Sequence, residues 1–158
     1  MAAKKSQLKK NPGPRVDEFL NLLKEPEVQS WRALMFAFKA ILTHLERGLT
    51  SEDCSLSRFQ ILFLLYFEGD TAAVEIAKKM SVTRGNISTF LKRMESDGLI
   101  RPQIPIGQKR PVYKLTKKGA SLFEKIFPGH IARVKKYAPK FKKSAIQALR
   151  KVPTSQEI

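Results

Sequence analysis

Cysteine and histidine are scarce in this sequence. Among 158 residues there are one cysteine, Cys54, and two histidines, His44 and His130. A single cysteine excludes a disulfide within the chain, and a structural zinc site needs several thiolate or imidazole ligands close together. The histidines lie far apart in the sequence without a carboxylate cluster, so a metal site or a hydrolase triad is not expected. We also find no phosphate-binding loop, and therefore predict no cofactor and no enzymatic activity.

Long apolar runs are missing as well. The longest, "ILFLLYF" (Ile61–Phe67), is far too short to span a bilayer. The N-terminal "MAAKKSQLKKNPGPR" has no apolar segment after its lysines, so it does not resemble a secretory signal. We therefore expect a cytoplasmic protein with no membrane partner.

Acidic residues are few relative to basic ones. The chain has 30 Lys and Arg against 14 Asp and Glu, a formal net charge of +16. Such a surplus usually has an anionic partner, which is nucleic acid, an anionic membrane surface or an acidic protein. A role in solubility alone is the plainer alternative. Hydrophobic residues make up 42% of the chain, which is enough for a core in a chain of this length.

The two ends of the chain contain long amphipathic segments. Residues 1–15 read as a basic mobile tail and 153–158 as a frayed one. Helices are predicted over 16–50, with Gly48 ending the longest one, and over 116–152, divided into two at Ala138-Pro139. Within 26–47 apolar residues alternate in steps of three and four, so this helix needs a long partner surface.

The segment 55–115 contains two short helices joined by a tight turn, which is the helix-turn-helix pattern. They are "AAVEIAKKM" and "TRGNISTFLKRMESDG". In the second helix Ile87, Phe90, Leu91 and Met94 are predicted to face the core. We predict that its outer side contacts double-stranded DNA in the major groove, because amides, hydroxyls and guanidinium groups bind base edges and phosphates. The proposed contact residues are Ser81, Thr83, Arg84, Asn86, Ser88, Thr89, Lys92 and Arg93. Two core helices with a solvated basic face are the simpler alternative.

A hairpin follows directly, which extends the pattern to a winged helix. Strands are predicted over Leu99–Ile104 and Pro111–Leu115, and Pro102 and Pro105 favour an edge position for the first strand. The turn "PIGQKR" places Gln108, Lys109 and Arg110 at the tip, where they can contact phosphates or the minor groove. The expected fold class is mainly α with a small β-wing.

The order of these elements resembles the MarR family of bacterial transcriptional regulators. The resemblance rests on "LSRFQILFLL", "EIAKKMSVTRGNISTFLKRMESDGLI", "YKLTKKG" and "FPGH", and extends from about Pro26 to Val152. It implies a homodimer in which 16–50 and 116–152 supply dimerisation helices and 55–115 forms the DNA-binding lobe. The interface residues that it implies are Trp31, Met35, Phe38, Leu42, Phe141, Ala145 and Leu149.

The resemblance also implies a function. Such proteins usually repress transcription from a pseudo-palindromic operator with half-sites about one turn (~10 bp) apart. A small anionic or phenolic effector, or cysteine oxidation, often releases them from DNA. Cys54 precedes a predicted helix whose dipole would favour a thiolate, so it is a candidate redox sensor, although an unreactive thiol near the helix cap is the simpler interpretation.

The wing departs from the family pattern. Where the family usually carries Asp-x-Arg, this chain has Gly107 and Lys109, with Arg110 one position further on. Lysine lacks the planar fork that suits a narrow minor groove, so we expect the wing to contact phosphates rather than read sequence. The net charge, the basic tail and this departure keep a second hypothesis open, that of an architectural, nucleoid-associated protein with little sequence preference.

Overall fold

The structure, a computed structural model, describes residues 15–107 and 109–152. The chain divides into two units after Ala40. The first contains α1 (Val16–Leu22) and the beginning of α2 (Pro26–Thr50), and the second contains the end of α2 and every later element. Apart from Arg15, the two predicted tails lie outside the described residues.

The second unit is helical with one small sheet, so the predicted fold class is confirmed. No helix among the described residues is long and apolar enough to cross a membrane. In chain order, the elements after α2 are α3 (Leu56–Glu68), β1 (Thr71–Ala72), α4 (Ala73–Met80), α5 (Arg84–Ser96), β2 (Ile100–Gln103), β3 (Val112–Leu115), α6 (Lys117–Tyr137) and α7 (Lys143–Arg150).

The sheet has three antiparallel strands in the order β1-β3-β2. The hairpin of β2 and β3 pairs Ile100 with Leu115 and Gln103 with Val112. Strand β1 was not predicted from the sequence, and it adds only two residues to the free edge of β3, pairing Thr71 with Tyr113. Because β2 is the other edge, Pro102 is tolerated there as predicted.

Hydroxyl side chains cap the beginning of three helices. Ser55, Thr83 and Thr116 each accept a hydrogen bond from the backbone N–H three residues on, at 3.2, 3.3 and 3.0 Å. Each of these bonds satisfies a backbone N–H of the first turn that has no partner within the helix. At the other ends, Gly69 and Gly98 have φ values of 82° and 68°, as expected for residues that end a helix in the left-handed region. The break between α6 and α7 at Ala138-Pro139 is also as predicted.

The predicted end of α2 was wrong. The helix continues through Gly48 to Thr50. A side chain at Gly48 would overlap Arg133 of α6, whose guanidinium crosses the helix here and pairs with Glu52 at 2.8 Å. The glycine therefore makes room for a neighbouring helix rather than ending its own.

A second glycine makes the close contact between α6 and the hairpin possible. Gly119 is buried in the first turn of α6, and a Cβ there would overlap the carbonyl oxygen of Leu99 and lie 3.1 Å from the Leu115 side chain. We predict that Gly119→Ala destabilises the protein by about 2–3 kcal/mol, because a backbone oxygen cannot move aside as a flexible side chain can. Thermal unfolding followed by circular dichroism would then show a midpoint lower by about 4–12 °C.

Gly129→Ala is the matched control in the same helix. A Cβ at Gly129 would meet Arg133 and Glu52 at 3.6 Å, which is ordinary contact. This variant should therefore unfold at or slightly above the parent midpoint, since alanine favours a helix interior by up to about 1 kcal/mol. Equal midpoints for the two variants would contradict the close approach at Gly119.

Candidate nucleic-acid interface

Helices α4 and α5 are joined by a three-residue turn that begins with Ser81. Ser81 has a left-handed backbone with φ 53° and ψ 42°. The N–H of Ser81 donates to the Lys78 carbonyl at 3.1 Å, and the N–H of Val82 donates to the Ala77 carbonyl at 3.0 Å. These bonds satisfy the last carbonyls of α4 and redirect the chain into α5. The predicted helix-turn-helix is thus present.

The inner face of α5 is anchored in the hydrophobic core. Ile87, Leu91 and Met94 are buried and Phe90 is partly buried, as predicted. They pack in one cluster with Ile76 and Ala77 of α4 and with residues of α3 and α6. Burying three such side chains stabilises the lobe by several kcal/mol, on the order of 1.5–3 kcal/mol each. The orientation of α5 is therefore fixed, and its other side is presented to solvent.

The outer side of α5 carries two rows of polar side chains. Arg84, Ser88 and Lys92 follow one another at intervals of four, and Asn86, Thr89 and Arg93 at intervals of three and four, so each set lines one flank of the helix. All six residues are exposed, as are Ser81 and Thr83 at the beginning of the helix. The structure thus exposes every predicted recognition-helix residue to solvent, on the two flanks of α5 or at its beginning.

The hydroxyl groups on this surface are already engaged within the helix. Ser88 Oγ donates to the Arg84 carbonyl at 2.9 Å, and Thr89 Oγ1 donates to the Gly85 carbonyl at 3.3 Å. Thr83 Oγ1 accepts from the Asn86 N–H as the helix cap. With these hydroxyl protons used within the helix, the oxygens of Ser88 and Thr89 remain available to accept hydrogen bonds from base amino groups.

The larger polar side chains on α5 are available. No hydrogen bond or ion pair within 15–107 and 109–152 engages the side chains of Arg84, Asn86, Lys92 or Arg93. The sequence from Thr83 to Arg93 contains no acidic residue. The side chains with the greatest hydrogen-bonding capacity on α5 therefore have no partner among the described residues, and three of the four are cationic.

Arg58 of α3, which was not among the predicted site residues, links the beginning of α3 to the end of α5. Its guanidinium pairs with Asp97, just after α5, and donates to the Asp53 carbonyl at 3.2 Å, just before α3. A cavity of about 450 Å³ beside it is lined in part by Ser57, Arg58 and Arg93. No signal in the sequence pairs Arg58 with Asp97, since the two residues are 39 positions apart.

The wing is the segment from Ile104 to Pro111 that connects β2 to β3. Lys109 and Arg110 are exposed on it, as predicted, whereas Gln108 lies outside the described residues. Gly107 has φ 79° and turns the chain back toward β3. Both strands are shorter than predicted. Leu99 precedes β2 instead of belonging to it, and its carbonyl accepts a hydrogen bond from the Thr116 N–H at 3.1 Å.

The residues implied in dimerisation are exposed or half-buried. Trp31, Met35 and Phe38 are exposed in the first unit. In the second unit Leu42 and Ala145 are half-buried, and Phe141 and Leu149 are exposed. Apolar side chains of this size are usually covered by a partner when they recur along a helix.

Cys54 is buried immediately before the N-cap of α3, with 1% of its surface exposed. Burial raises the pKa of its thiol to about 11, with a smaller opposing effect from the charge of Arg58. The thiol is therefore protonated at neutral pH, and oxidants react with the thiolate. This environment favours the simpler interpretation of an unreactive thiol.

Comparison with known proteins agrees with this arrangement. The model of the MarR family matches residues 54–110. The chain is 31% identical over 112 residues to the HTH-type transcriptional regulator YkoM of Bacillus subtilis, covering 70% of this chain and 72% of that protein. Its fold is similar to that of AbsC, a MarR family transcriptional regulator from Streptomyces coelicolor, with TM-score 0.73, 21% identity and coverage of 82% and 90%. It is also similar to BpsR of Bordetella bronchiseptica, whose DNA binding 6-hydroxynicotinic acid regulates, with TM-score 0.68, 14% identity and coverage of 82% and 93%.

Proposed function

Because this chain belongs to the MarR family of transcriptional regulators, we propose that it is a sequence-specific, dimeric repressor of transcription. Each protomer would place α5 in the major groove of one half-site of a pseudo-palindromic operator, with the half-sites about 10 bp apart. The observation that carries the proposal is the outer side of α5. It offers two guanidinium groups, an amide and an ammonium group that have no partner among the described residues, and the one acid of the helix, Glu95, comes after them in the last turn.

The residues of α5 divide into two roles in this proposal. Arg84 and Asn86, in the first turn, read base edges, because Arg matches guanine and Asn matches adenine with paired hydrogen bonds. Lys92 and Arg93, two turns further on, contact phosphates, as do Ser81 and Thr83 at the positive end of the helix. Ser88 and Thr89 accept hydrogen bonds from bases that face them.

Dimerisation is the second part of the proposal. A two-fold operator requires two copies of α5, and one copy of a 13-residue helix covers only one half-site. The exposed apolar residues of α2 and α7 support a partner chain of the same sequence, since covering them removes hydrophobic surface from water. A small-molecule effector is the third part, supported by the regulation of BpsR by 6-hydroxynicotinic acid.

An architectural DNA-binding protein is the second candidate. The observation that favours it is a group of exposed lysines outside α5, namely Lys135, Lys136, Lys140, Lys142 and Lys143. Both candidates bind DNA more weakly as salt increases, so the ratio of affinities separates them. A repressor should bind its operator at least about 10³-fold more tightly than random duplex at the same salt concentration. A ratio near one would favour the architectural protein.

The wing supplies a phosphate contact in this proposal, and Lys109→Ala tests it. Because a phosphate contact carries no sequence information, we predict that affinity for operator and for random duplex falls by the same factor. The slope of log affinity against log salt should become shallower by about 2 for a dimer, because each protomer loses one phosphate contact and each contact contributes about 0.9 to the slope.

Lys125→Ala is the matched control, since it removes the same charge from an exposed position on α6. It should leave the salt slope close to that of the parent. An unchanged slope for Lys109→Ala would show that this side chain does not contact phosphate.

A further inference from the structure

The tip of the wing carries two isoleucines that nothing in the described part of the chain covers. Ile106 is fully exposed, and 64% of the Ile104 surface is exposed. The other large exposed apolar residues belong mostly to helices, where neighbours at helical spacing share the exposure. Ile106 instead lies in the connection between two strands, where a polar side chain would normally be expected.

These side chains lie just beyond the paired part of the hairpin. Four consecutive residue pairs join β2 to β3, and β3 is paired on its other edge with β1. Pro105, between the two isoleucines, restricts its own φ and the conformation of Ile104 before it. Gly107 follows with φ 79° and returns the chain. Ile106 therefore lies fully exposed beyond the last paired residues of the hairpin, Gln103 and Val112.

The surroundings of the tip are cationic. The sequence from Arg101 to Pro111 contains Arg101, Lys109 and Arg110 and no acidic residue. Lys109 and Arg110 are exposed and make no ion pair with any described residue. An apolar tip with cations around it complements a surface that is anionic outside and apolar within. Duplex DNA is such a surface, because phosphates line its grooves and stacked bases lie between them.

We propose that Ile106, assisted by Ile104, inserts as an apolar wedge between base pairs in the minor groove and bends the operator. Minor-groove proteins use isoleucine among other apolar side chains in this way, and they recover the cost of unstacking through the contacts that the bend permits. Lys109 and Arg110 would hold the flanking phosphates. This wedge rests on the DNA binding proposed above. It would take the place of the arginine that usually enters the minor groove in the family, since this wing has Lys109 at that position.

A protein partner fits the same surface less well. Stable protein interfaces cover roughly 800 Å² on each side with a core of several apolar residues. Two isoleucines among cations offer a much smaller apolar area. Flexible DNA steps such as TA and CA, by contrast, open to a single side chain.

The test measures bending and unstacking together with affinity. The full-length protein is bound to the duplex recovered by selection from a random pool, or to a mixed-sequence duplex if none is enriched. Energy transfer between dyes at the two ends reports the bend, and 2-aminopurine scanned through the sequence flanking each half-site reports unstacking. We expect a bend of about 20–90° and an increase in 2-aminopurine fluorescence at one step for each wing.

Three substitutions at one position separate a wedge from a charge. Ile106→Ser should lose at least half of the bend and the fluorescence signal, and its affinity should fall roughly tenfold. Ile106→Leu should retain all three. Ile106→Lys should lose the bend and the fluorescence signal although it adds a cation, whereas a wing that acts by charge alone would keep its bend and bind more tightly.

The outcomes distinguish this inference from the proposed function. Binding without a bend, or a bend that survives in Ile106→Ser, would overturn the wedge and leave the DNA-binding role of α5 intact. A wedge signal on mixed-sequence DNA with no preferred site would support the wedge and reject the sequence-specific repressor. Absence of binding to any duplex would overturn both.

Discussion

Replacing Phe38 with glutamate is expected to convert the dimer into monomers. Phe38 belongs to the apolar stripe of α2 that also contains Trp31, Met35 and Leu42, and 58% of its surface is exposed in the single chain. In the proposed dimer the phenyl group is buried against the partner, where an unpaired carboxylate is costly. Each monomer would bind one half-site only, so operator affinity should fall by roughly 100-fold or more. Sedimentation and operator binding, measured on the same samples, check both effects.

Phe36→Glu is the control on the same helix. Phe36 is somewhat more open than Phe38, with 68% of its surface exposed, but it lies about a quarter turn or more from the stripe. The Arg32 guanidinium approaches its ring, 6.0 Å from the centroid, within the same helix. The Phe36 variant should therefore remain dimeric. A folded dimer of the Phe38 variant would remove this stripe from the interface.

Replacing Asn86 with alanine should abolish much of the discrimination between operator and random DNA. The amide has no partner among the described residues and lies in the first turn of α5, where it can pair with one adenine in each half-site. Losing about 1–3 kcal/mol at each of two half-sites would lower operator affinity by roughly 30-fold or more. Affinity for random duplex should change by less than about threefold, because the substitution removes no charge.

Arg84→Ala should show the same loss of discrimination with an added loss of general affinity, since it also removes a cation. Lys92→Ala serves as the comparison, with equal losses on operator and random duplex if it contacts only phosphate. Competition binding at fixed salt measures all three. If Asn86→Ala weakened binding to random DNA as much as binding to the operator, Asn86 would have no role in reading bases.

Local signals in the sequence account for most of the DNA-binding lobe. Ser55, Thr83 and Thr116 were predictable as caps because a hydroxyl at the start of an apolar periodic segment satisfies a free amide. The buried face of α5 was predictable from helical spacing alone. These features depend on residues a few positions apart, which is the range over which sequence patterns are informative.

The features that were missed depend on distant residues. Gly48 resembles a helix end until Arg133 is placed above it, 85 residues later in the chain. The two residues of β1 are a strand only because β3 offers a free edge, and Arg58 acquires its role only from Asp97. The engagement of Ser88 and Thr89 within α5 was knowable in principle, since hydroxyls in helices commonly donate to the carbonyl four residues back.

Selection of random duplex DNA by the purified protein, read by sequencing at near-physiological salt, tests the central claim most directly. The account predicts enrichment of a two-fold palindrome whose half-sites lie about 10 bp apart, with a preference over the starting pool of at least about 10³-fold. Tight binding that leaves every sequence in the pool equally represented would contradict it, because α5 would then be contacting phosphates without reading bases.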